Sequence, residues 1–420
     1  MRRIAWLQLS LILILAPVLA GEPSTAALQI GARAAILMDR QSGMVLWSLN
    51  PDLPLPMAST TKIMTAVVIL DRGKDRLNEP VTVSKYAFEV AQGGSSQFAA
   101  GDVVTLGDLL TAALVKSSNE ATIAAAEHLA GDEQTFIGWM NDKAKALGLT
   151  NTHFTNPHGF TKPRYYSTKH YSSARDLAIM GRYALTHYPR IRELVTIRDT
   201  TVTASPRGVV SLHNHNNLLG KQVPSVPGSQ VDGIKTGFIK ESGYCYVGSA
   251  TVNDWQLIAV LLNDADRFQD ALRLFQYGFS QYDWKTYASE TQAGLEVPVV
   301  RGSARRTPLG VQGVLGAPVP KAGAVRDEVR FSGEPLRAPV KQGDVVGRLT
   351  LFRNGREVAS APAVALRPVA VVWWVRAGTV LLYVLVGVGL LVLIGIAYGT
   401  RAKNARRRRR ELEAGRGRTD

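Results

Sequence analysis

A serine and a lysine stand three positions apart near the start of an apolar segment, in the motif Ser59-Thr60-Thr61-Lys62. The i, i+3 spacing places two side chains on the same face of a helix. A serine hydroxyl becomes a useful nucleophile when a neighbouring base takes its proton. A lysine among apolar residues favours the neutral amine that a base requires, because burial lowers its pKa. The pair predicts acyl-transfer chemistry, although a helix-capping serine is the ordinary meaning of this motif alone.

Two further triplets extend the candidate site. Ser117-Ser118-Asn119 stands between two helical segments, where a loop can point side chains into a cleft. Lys235-Thr236-Gly237 ends a predicted strand, where Lys235 offers a positive charge to a carboxylate and Gly237 lets a ligand backbone approach closely. Taken singly, the first triplet is an ordinary helix N-cap and the second an ordinary strand end. All three motifs together, in this order, predict a serine acyl-transfer site.

The elements that hold these motifs follow from hydrophobic periodicity. Residues 58–70 are apolar nearly all round, over a length that favours a buried helix. Strand patterns occur at both ends of this part of the chain with helices between them, which predicts an α+β domain on an antiparallel sheet. The predicted helices are 106–115, 121–130, most of 132–200 and one beginning near Phe268, and the predicted strands are 35–38, 44–47, 231–238, 244–251 and 255–262.

Residues 286–367 change in character. They are rich in Val, Pro and Gly, in short alternating runs with an Asn354-Gly355 turn. This pattern predicts a small all-β domain. We therefore expect a catalytic domain over residues 27–284 and a C-terminal β domain over residues 286–367.

The ends of the chain carry signals for its location. Arg2 and Arg3 precede an apolar run ending in Ala16-Pro17-Val18-Leu19-Ala20, which is typical of a secretory signal peptide over residues 1–20. An uncleaved membrane anchor is the alternative. Residues 377–399 carry no charged side chain and are long enough to span a bilayer as a transmembrane helix. The positive-inside rule places the basic tail, residues 401–420, in the cytoplasm, and the catalytic domain on the periplasmic or extracellular side of the cytoplasmic membrane.

The net charge of +15 over 420 residues is partly a property of that tail. Residues 401–420 hold nine Lys and Arg against three Asp and Glu, which leaves the body of the chain only mildly basic. Because the arginine run adjoins a membrane span, topology and contact with anionic lipid explain it, and we predict no nucleic-acid partner. Apolar residues at 46% and charged residues at 20% exclude global disorder and a polytopic membrane protein.

We predict no metal and no cofactor. His213 and His215 form a tempting pair, but zinc would need a third ligand and loop hydrogen bonding is the expected role. The single cysteine, Cys245, excludes an internal disulfide and a cysteine-ligated zinc site. Its place on a predicted strand is typical of a buried structural thiol.

The three motifs and their surroundings resemble the low-molecular-mass penicillin-binding proteins, the serine-type D-Ala-D-Ala carboxypeptidases of the peptidase S11 type. The likeness covers residues 27–367 and implies a β-lactamase/transpeptidase-like catalytic domain followed by the family's C-terminal β domain. The segments that carry it are Pro56-Met57-Ala58-Ser59-Thr60-Thr61-Lys62-Ile63-Met64-Thr65-Ala66, Ser117-Ser118-Asn119-Glu120-Ala121, residues 136–141, Asn156-Pro157-His158-Gly159, Asp232-Gly233-Ile234-Lys235-Thr236-Gly237 and Pro339-Val340-Lys341-Gln342-Gly343-Asp344-Val345-Val346-Gly347.

The resemblance implies roles for the catalytic residues. Ser59 resembles the nucleophile that forms the acyl-enzyme, and Lys62 resembles the base that takes its proton. Ser117 resembles the relay that passes a proton to the departing D-alanine. Asn119 resembles the residue that holds the substrate amide.

The resemblance also implies how the substrate is bound. Lys235 and Thr236 resemble the pair that binds the terminal carboxylate of a peptidoglycan stem peptide ending in D-Ala-D-Ala. The backbone N–H groups of Ser59 and Phe238 resemble the oxyanion hole. β-Lactam antibiotics are expected as covalent inhibitors.

The chain departs from the family pattern at three positions. Ser118 stands where glycine is common and Glu120 where aspartate is common. Ile239 replaces a threonine that often follows the Lys-Thr-Gly triplet, which bears on the choice of stem peptide.

Other functions on the same fold stay open as alternatives. A D,D-endopeptidase is one. A class A β-lactamase is another, but it needs a deacylating glutamate in a Glu-x-x-Leu-Asn setting, and no glutamate has that context. A non-enzymatic wall-binding protein is a third, against which the intact set of Ser59, Lys62, Ser117 and Lys235 speaks.

Overall fold

The structure, a computed structural model, describes residues 28–91, 96–160 and 167–416. The predicted signal peptide, residues 1–20, lies outside the described residues. The chain up to Gln281 contains both helices and strands, strands follow, and a long helix ends the described chain.

The N-terminal part contains a central sheet and two small two-stranded sheets. Its strands are β1 (Ala34–Asp39), β2 (Val45–Leu49), β3 (Pro80–Thr82), β4 (Val103–Thr105), β5 (Asp199–Ala204), β6 (Gly208–His213), β7 (Gln230–Ile239), β8 (Gly243–Val252) and β9 (Trp255–Leu262). The two small sheets are β3-β4 and β5-β6.

The central sheet is antiparallel, in the strand order β2-β1-β9-β8-β7. The predicted strands 35–38 and 44–47 are confirmed and pair around the Ser42-Gly43 turn. The predicted strands 231–238, 244–251 and 255–262 are also confirmed and pair in succession. Gly43 has a φ of +77°, a conformation that favours glycine at such a turn. Strand β7, which carries Lys235, lies at one edge of the sheet.

Helices cover both faces of the sheet. Alternation along the strands sends one set of side chains, such as Ile36 and Val260, toward the helical region that contains Ser59 and Lys62. The other set, such as Leu37 and Leu261, packs against Phe275 of the last helix of this part. The helices are α1 (Lys62–Gly73), α2 (Lys85–Ala91), α3 (Leu106–Val115), α4 (Asn119–Ala130), α5 (Glu133–Ala146), α6 (Ala174–His187), α7 (Pro189–Val195) and α8 (Arg267–Gln281).

The C-terminal part is built of strands. One sheet has the order β14-β16-β17-β12-β11-β15, and β10 pairs with β13. The strands are β10 (Tyr282–Ser289), β11 (Leu295–Val300), β12 (Arg306–Val311), β13 (Val314–Pro320), β14 (Asp327–Ser332), β15 (Leu336–Arg337), β16 (Val345–Arg353) and β17 (Arg356–Ala365). The predicted fold class, an α+β domain followed by a small all-β domain, is confirmed.

The described chain ends in helix α9 (Trp373–Arg416). Its segment Ala377–Arg410 is long and apolar enough at its start to cross a membrane by length and composition. The predicted span, residues 377–399, lies within it, and the helix continues into the basic tail. Arg, Lys, Glu, Leu and Ala are good helix formers, which accounts for the continuation.

Candidate active site

Ser59 lies in a short 3-10 turn, Ala58–Thr61, that leads directly into α1 at Lys62. The Thr60 hydroxyl donates to the carbonyl oxygen of Met57 at 2.7 Å and fixes the turn from within. The sequence predicted Ser59 in the first turn of an α-helix. The structure instead places it one tight turn ahead of that helix.

Two glycines let neighbouring segments approach this turn. A Cβ on Gly159, where φ is +74°, would overlap with the Ala58 carbonyl oxygen and lie 2.6 Å from Thr61 Oγ1. A Cβ on Gly237 of β7 would lie 3.0 Å from the backbone nitrogen of Ser59. The turn is therefore held between the loop of Gly159 and the edge strand, and an added Cβ would clash at Gly159 and be tight at Gly237.

Lys62 is fully buried, and its amine contacts three oxygen atoms. Its Nζ lies 3.0 Å from Ser59 Oγ, and donates to Asn119 Oδ1 and to the His158 carbonyl oxygen, each at 2.7 Å. The amide and carbonyl oxygens can only accept. In a neutral amine they take its two N–H groups, and the lone pair is left facing the Ser59 hydroxyl.

The surroundings of Lys62 favour that neutral form. Burial is the main cause that holds the pKa of Lys62 well below its usual value, and the positive charge of Lys235 lowers it further. The negative charge of Glu120 opposes both effects. A base must be unprotonated to accept the serine proton, so this environment suits general-base catalysis.

Ser117 lies on the loop between α3 and α4, and Asn119 is the first residue of α4. Ser117 is 5% exposed and has a φ of +65°, a strained conformation for a residue other than glycine. Between them, the Ser118 hydroxyl accepts from the Ala121 N–H at 3.3 Å and caps α4. Ser118 thus has the N-cap role that the triplet alone would predict. Ser117 and Asn119 remain the candidates for a catalytic role.

Lys235 and Thr236 are buried in the second half of β7, which ends at Ile239. Lys235 Nζ donates to the Thr236 carbonyl oxygen at 3.1 Å, and burial lowers the pKa of Lys235 to about 7. The Phe238 side chain is 56% exposed, and its ring centroid lies 4.5 Å from that of Tyr244. Ile239 is buried, and its apolar side chain offers no polar contact at this position.

The structure brings the three motifs together around one turn. Ser59, Lys62 and Asn119 share the hydrogen bonds of a single amine, and Gly237 brings β7 against the backbone of Ser59. Ser117 lies two residues before Asn119, on the loop that leads into α4. Phe238 follows Gly237 directly, so its backbone lies beside the same turn.

The carbonyl group of His158 is a contact of the base that the motifs did not predict. Asn156 Oδ1 accepts from the backbone N–H groups of His158 and Gly159, at 3.2 and 2.6 Å, and folds this loop against the turn of Ser59. The signal in the sequence was the glycine of Asn156-Pro157-His158-Gly159, since an Asn-Pro-x-Gly run is typical of a tight turn. A residue of any type can supply a backbone carbonyl oxygen, so residue types do not predict this acceptor.

The remaining candidates have other contacts. His213 Nδ1 lies 2.5 Å from Asp199 Oδ1, and His215 Nε2 lies 3.4 Å from Lys116 Nζ. Cys245 is buried, as predicted, and burial raises the pKa of its thiol to about 11.

Comparison with known proteins gives two family matches. Residues 21–266 match the family described as D-alanyl-D-alanine carboxypeptidase. Residues 284–370 match the C-terminal domain of penicillin-binding protein 5.

Individual relatives agree with these matches. The D-alanyl-D-alanine carboxypeptidase DacC of Escherichia coli K12 is 34% identical over 83% of this chain and 87% of its own length. The carboxypeptidase DacF of Bacillus subtilis 168 is 32% identical over 81% of this chain and 86% of its own. The crystal structure of penicillin-binding protein 5 from Haemophilus influenzae superposes with a TM-score of 0.65 at 31% identity, covering 81% of this chain and 98% of that one. With a family match over more than half its length and relatives this similar, the chain belongs to the D-alanyl-D-alanine carboxypeptidase family of low-molecular-mass penicillin-binding proteins.

Proposed function

We propose that the protein is a serine D-Ala-D-Ala carboxypeptidase that removes the terminal D-alanine from peptidoglycan stem pentapeptides through an acyl-enzyme on Ser59. The observation that carries the proposal is the amine of Lys62, held 3.0 Å from Ser59 Oγ with acceptors for both N–H groups of its neutral form. That geometry leaves the hydroxyl proton as the group that the lone pair can take.

Acylation follows from this arrangement. Ser59 Oγ attacks the carbonyl carbon of the penultimate D-alanine while Lys62 takes the hydroxyl proton. The C–N bond breaks, and Ser117 passes a proton to the departing amine. Asn119 accepts from Lys62 through its amide oxygen, so its NH₂ group is available to a substrate carbonyl. Water then cleaves the ester and releases the shortened peptide.

The substrate is held at both ends of the scissile bond. Lys235 and Thr236 bind the terminal carboxylate, because a buried ammonium beside a hydroxyl forms charge-assisted hydrogen bonds with it. The backbone N–H groups of Ser59 and Phe238 stabilise the oxyanion. The close packing of Gly237 on Ser59 supports this pairing, since it brings the two N–H groups to neighbouring backbone segments. β-Lactams acylate the same serine as analogues of the D-Ala-D-Ala bond.

The protein acts at the outer face of the cytoplasmic membrane. Helix α9 supplies the membrane span, with the basic tail of residues 401–420 in the cytoplasm and the catalytic domain on the periplasmic or extracellular side. The signal peptide of residues 1–20 exports the catalytic domain, residues 27–284. The β domain of residues 286–367 separates that domain from the lipid. The length and composition of Ala377–Arg410 support the span.

The test is release of D-alanine from a stem pentapeptide by the purified protein. Wild-type protein is expected to release one D-alanine per peptide, and the Ser59→Ala variant none. Folded wild-type protein that leaves the pentapeptide intact would overturn the proposal. Rapid turnover of penicillin would instead indicate a β-lactamase.

A further inference from the structure

A chain of hydrogen bonds runs from His170 to the turn of Ser59. His170 is 5% exposed, and its ring packs edge-on against Phe154 with 6.0 Å between the ring centroids. Its Nδ1 lies 3.0 Å from the backbone nitrogen of Thr155, and its Nε2 lies 2.8 Å from Thr61 Oγ1. The Thr61 hydroxyl in turn donates to the carbonyl oxygen of residue 58 at 2.7 Å. The chain therefore reaches the residue immediately before the proposed nucleophile.

The backbone of Thr155 sets the direction of this chain. A backbone N–H can only donate, so His170 Nδ1 accepts from Thr155 and carries no proton. The ring proton is then on Nε2, which donates to Thr61 Oγ1, and the Thr61 proton is left for the Ala58 carbonyl oxygen. Burial is the main cause that lowers the pKa of His170 to about 3, so the ring is neutral near neutral pH. Each donor in the chain thus points toward Ala58.

The peptide unit between Ala58 and Ser59 links this chain to the reaction. A peptide bond is planar and, in its usual trans form, points its C=O and its N–H in opposite directions. A hydrogen bond that fixes the Ala58 carbonyl group therefore also fixes the direction of the Ser59 N–H. Under the proposed function, on which this inference rests, that N–H is one of the two donors to the oxyanion. A donor on the carbonyl oxygen also polarises the peptide unit, which strengthens the N–H as a donor.

The conformation of Ala58 explains why this peptide unit needs support. Its φ is +48°, in the left-handed region that costs free energy for a residue with a Cβ. Such a conformation persists only where the surrounding structure holds it. The loop of Gly159 packs against the Ala58 carbonyl oxygen, and the Thr61 hydroxyl donates to the same atom. Packing and the hydrogen bond together hold the peptide plane in place.

We propose that Thr61 and His170 are positioning residues that orient the Ala58–Ser59 peptide unit, so that the Ser59 N–H points at the oxyanion of the acylation transition state. Neither side chain touches the substrate in this role. Loss of the chain would leave Lys62 beside the Ser59 hydroxyl but would release the peptide plane. The effect falls on the rate of acylation rather than on substrate binding, because the oxyanion charge develops only in the transition state.

The test compares variants of the full-length protein in pairs that differ by one hydrogen bond. Thr61→Val keeps the shape of the side chain and removes the hydroxyl, whereas Thr61→Ser retains it. His170→Asn can still accept from the Thr155 N–H but is too short to reach Thr61, whereas the longer side chain in His170→Gln can still donate to Thr61. Thr111→Val is the matched control, since it removes a hydroxyl that donates at 2.8 Å to the Gly107 carbonyl oxygen within α3.

Two measurements separate this role from a merely structural one. Stopped-flow kinetics with penicillin give the dissociation constant of the non-covalent complex and the rate constant of acylation separately. Infrared difference spectra of the penicilloyl-enzyme, isotope-labelled at the β-lactam carbonyl, give the stretching frequency of the ester carbonyl. That frequency rises when the hydrogen bonds from the oxyanion hole weaken.

Thr61→Val and His170→Asn should each lower the rate constant of acylation by about 10–100-fold, somewhat less than the loss of an oxyanion donor outright. The ester carbonyl frequency should rise in both, and the dissociation constant should not change. Thr61→Ser, His170→Gln and Thr111→Val should be acylated at close to the wild-type rate. Thr61→Val combined with His170→Asn should be no slower than Thr61→Val alone, since both changes break the same chain.

Failure of this inference is distinct from failure of the proposed function. Acylation of Thr61→Val and His170→Asn at the wild-type rate would overturn it, as would slow acylation with an unchanged carbonyl frequency. Equal impairment of Thr61→Ser and His170→Gln would also overturn it, and the two variants of His170 decide the point alone if Thr61→Val does not fold. All of these results leave the carboxypeptidase standing. Folded wild-type protein that penicillin does not acylate would overturn the proposed function itself.

Discussion

The chemistry proposed for this site depends on the protonation state of Lys62. Its ammonium form would need acceptors for three N–H groups, whereas the neutral amine needs two acceptors and one donor. Asn119 Oδ1 and the His158 carbonyl supply the two acceptors, and the Ser59 hydroxyl can supply the donor. Burial acts in the same direction, because it disfavours the charged form. The hydrogen-bond partners thus accommodate the neutral amine, and desolvation favours it.

Replacement of the base by a side chain of similar length tests this role. In Lys62→Met the buried volume is nearly kept while the lone pair is lost. We expect the rate of acylation by penicillin to fall by about 10²–10⁴-fold, the usual contribution of a general base. The melting temperature should show that the variant is folded. Acylation at the wild-type rate would mean that another group takes the proton.

The second buried lysine predicts a pH dependence of substrate binding. Because burial lowers the pKa of Lys235 to about 7, its charge is present in the free enzyme below pH 7 and is lost as the pH rises above that value. KM for a peptide with a free terminal carboxylate should therefore increase between pH 6 and pH 9, by up to about tenfold for each pH unit above 7.

Arginine keeps its charge throughout this pH range. In Lys235→Arg, KM can differ from wild type in absolute value, but its rise with pH should disappear. A KM of the wild-type enzyme that stays flat from pH 6 to pH 9 would contradict the role of Lys235 as the titrating cation.

At the scale of elements, the site depends on how closely the loop of Gly159 and strand β7 approach the turn of Ser59. A methyl group at Gly159 would overlap with the Ala58 carbonyl oxygen, so Gly159→Ala must displace the turn. Gly148 is the matched control, since its φ of +72° is nearly the same but no atom of the described residues lies within 4 Å of an added Cβ.

The two variants should differ in both stability and activity. Gly148→Ala should lower the free energy of unfolding by about 1–2 kcal/mol, the conformational cost alone, with acylation unchanged. Gly159→Ala should lose a further ~1–3 kcal/mol through overpacking and should be acylated slowly or not at all. Chemical denaturation and the rate of penicillin binding measure these effects. Equal behaviour of the two variants would show that the contact does not position Ser59.

Many of the strands and helices could be predicted from the sequence. The hairpin at Ser42-Gly43 and the strands around Lys235 have strong alternation bounded by turn residues, and both are present. The β5–β6 hairpin was missed, although residues 199–213 alternate around a Pro206-Arg207-Gly208 turn, because each strand buries only two apolar side chains and the pattern is short.

For the active site, residue types alone could predict which side chains take part, but not the backbone and side chains that surround them. The Ser59-Lys62 spacing indicated an interacting pair, and the two side chains do meet. The 3-10 turn under Ser59 was not predicted, since a helix and a tight turn that leads into it share the same short-range pattern. The contact of Lys62 with a backbone carbonyl is likewise a product of tertiary packing.

At the scale of the whole molecule, the β domain is joined to the catalytic part without a flexible linker. Helix α8 ends at Gln281 and strand β10 begins at Tyr282, so this strand crosses the predicted domain boundary at residues 284–286. The Tyr282 hydroxyl donates to the Leu46 carbonyl oxygen at 3.3 Å, and Trp284 packs beside Trp255. These contacts extend the strand onto the catalytic part and are consistent with a stiff spacer.

This architecture predicts that catalysis and anchoring can be separated. A truncated chain of residues 21–370 should be soluble and should still release D-alanine, because Ser59 and its partners precede the proposed span. Full-length protein in cells should stay in the membrane fraction through washing with high salt, since a spanning helix does not depend on screened charge. Release by salt would indicate that α9 lies on the membrane surface instead.

Orientation is tested by protease added to intact spheroplasts. A tag placed after Asp420 should be protected while the catalytic domain is digested. Digestion of the tag would overturn the proposed topology.

The central claim is that Ser59 forms the acyl-enzyme, and mass spectrometry after incubation with penicillin tests it most directly. The intact protein should gain the mass of one penicilloyl group, and peptide mapping should place that group on Ser59. The adduct should persist, since no glutamate has the sequence context of a deacylating residue. An adduct on another residue, or folded protein that gains no mass, would contradict the account.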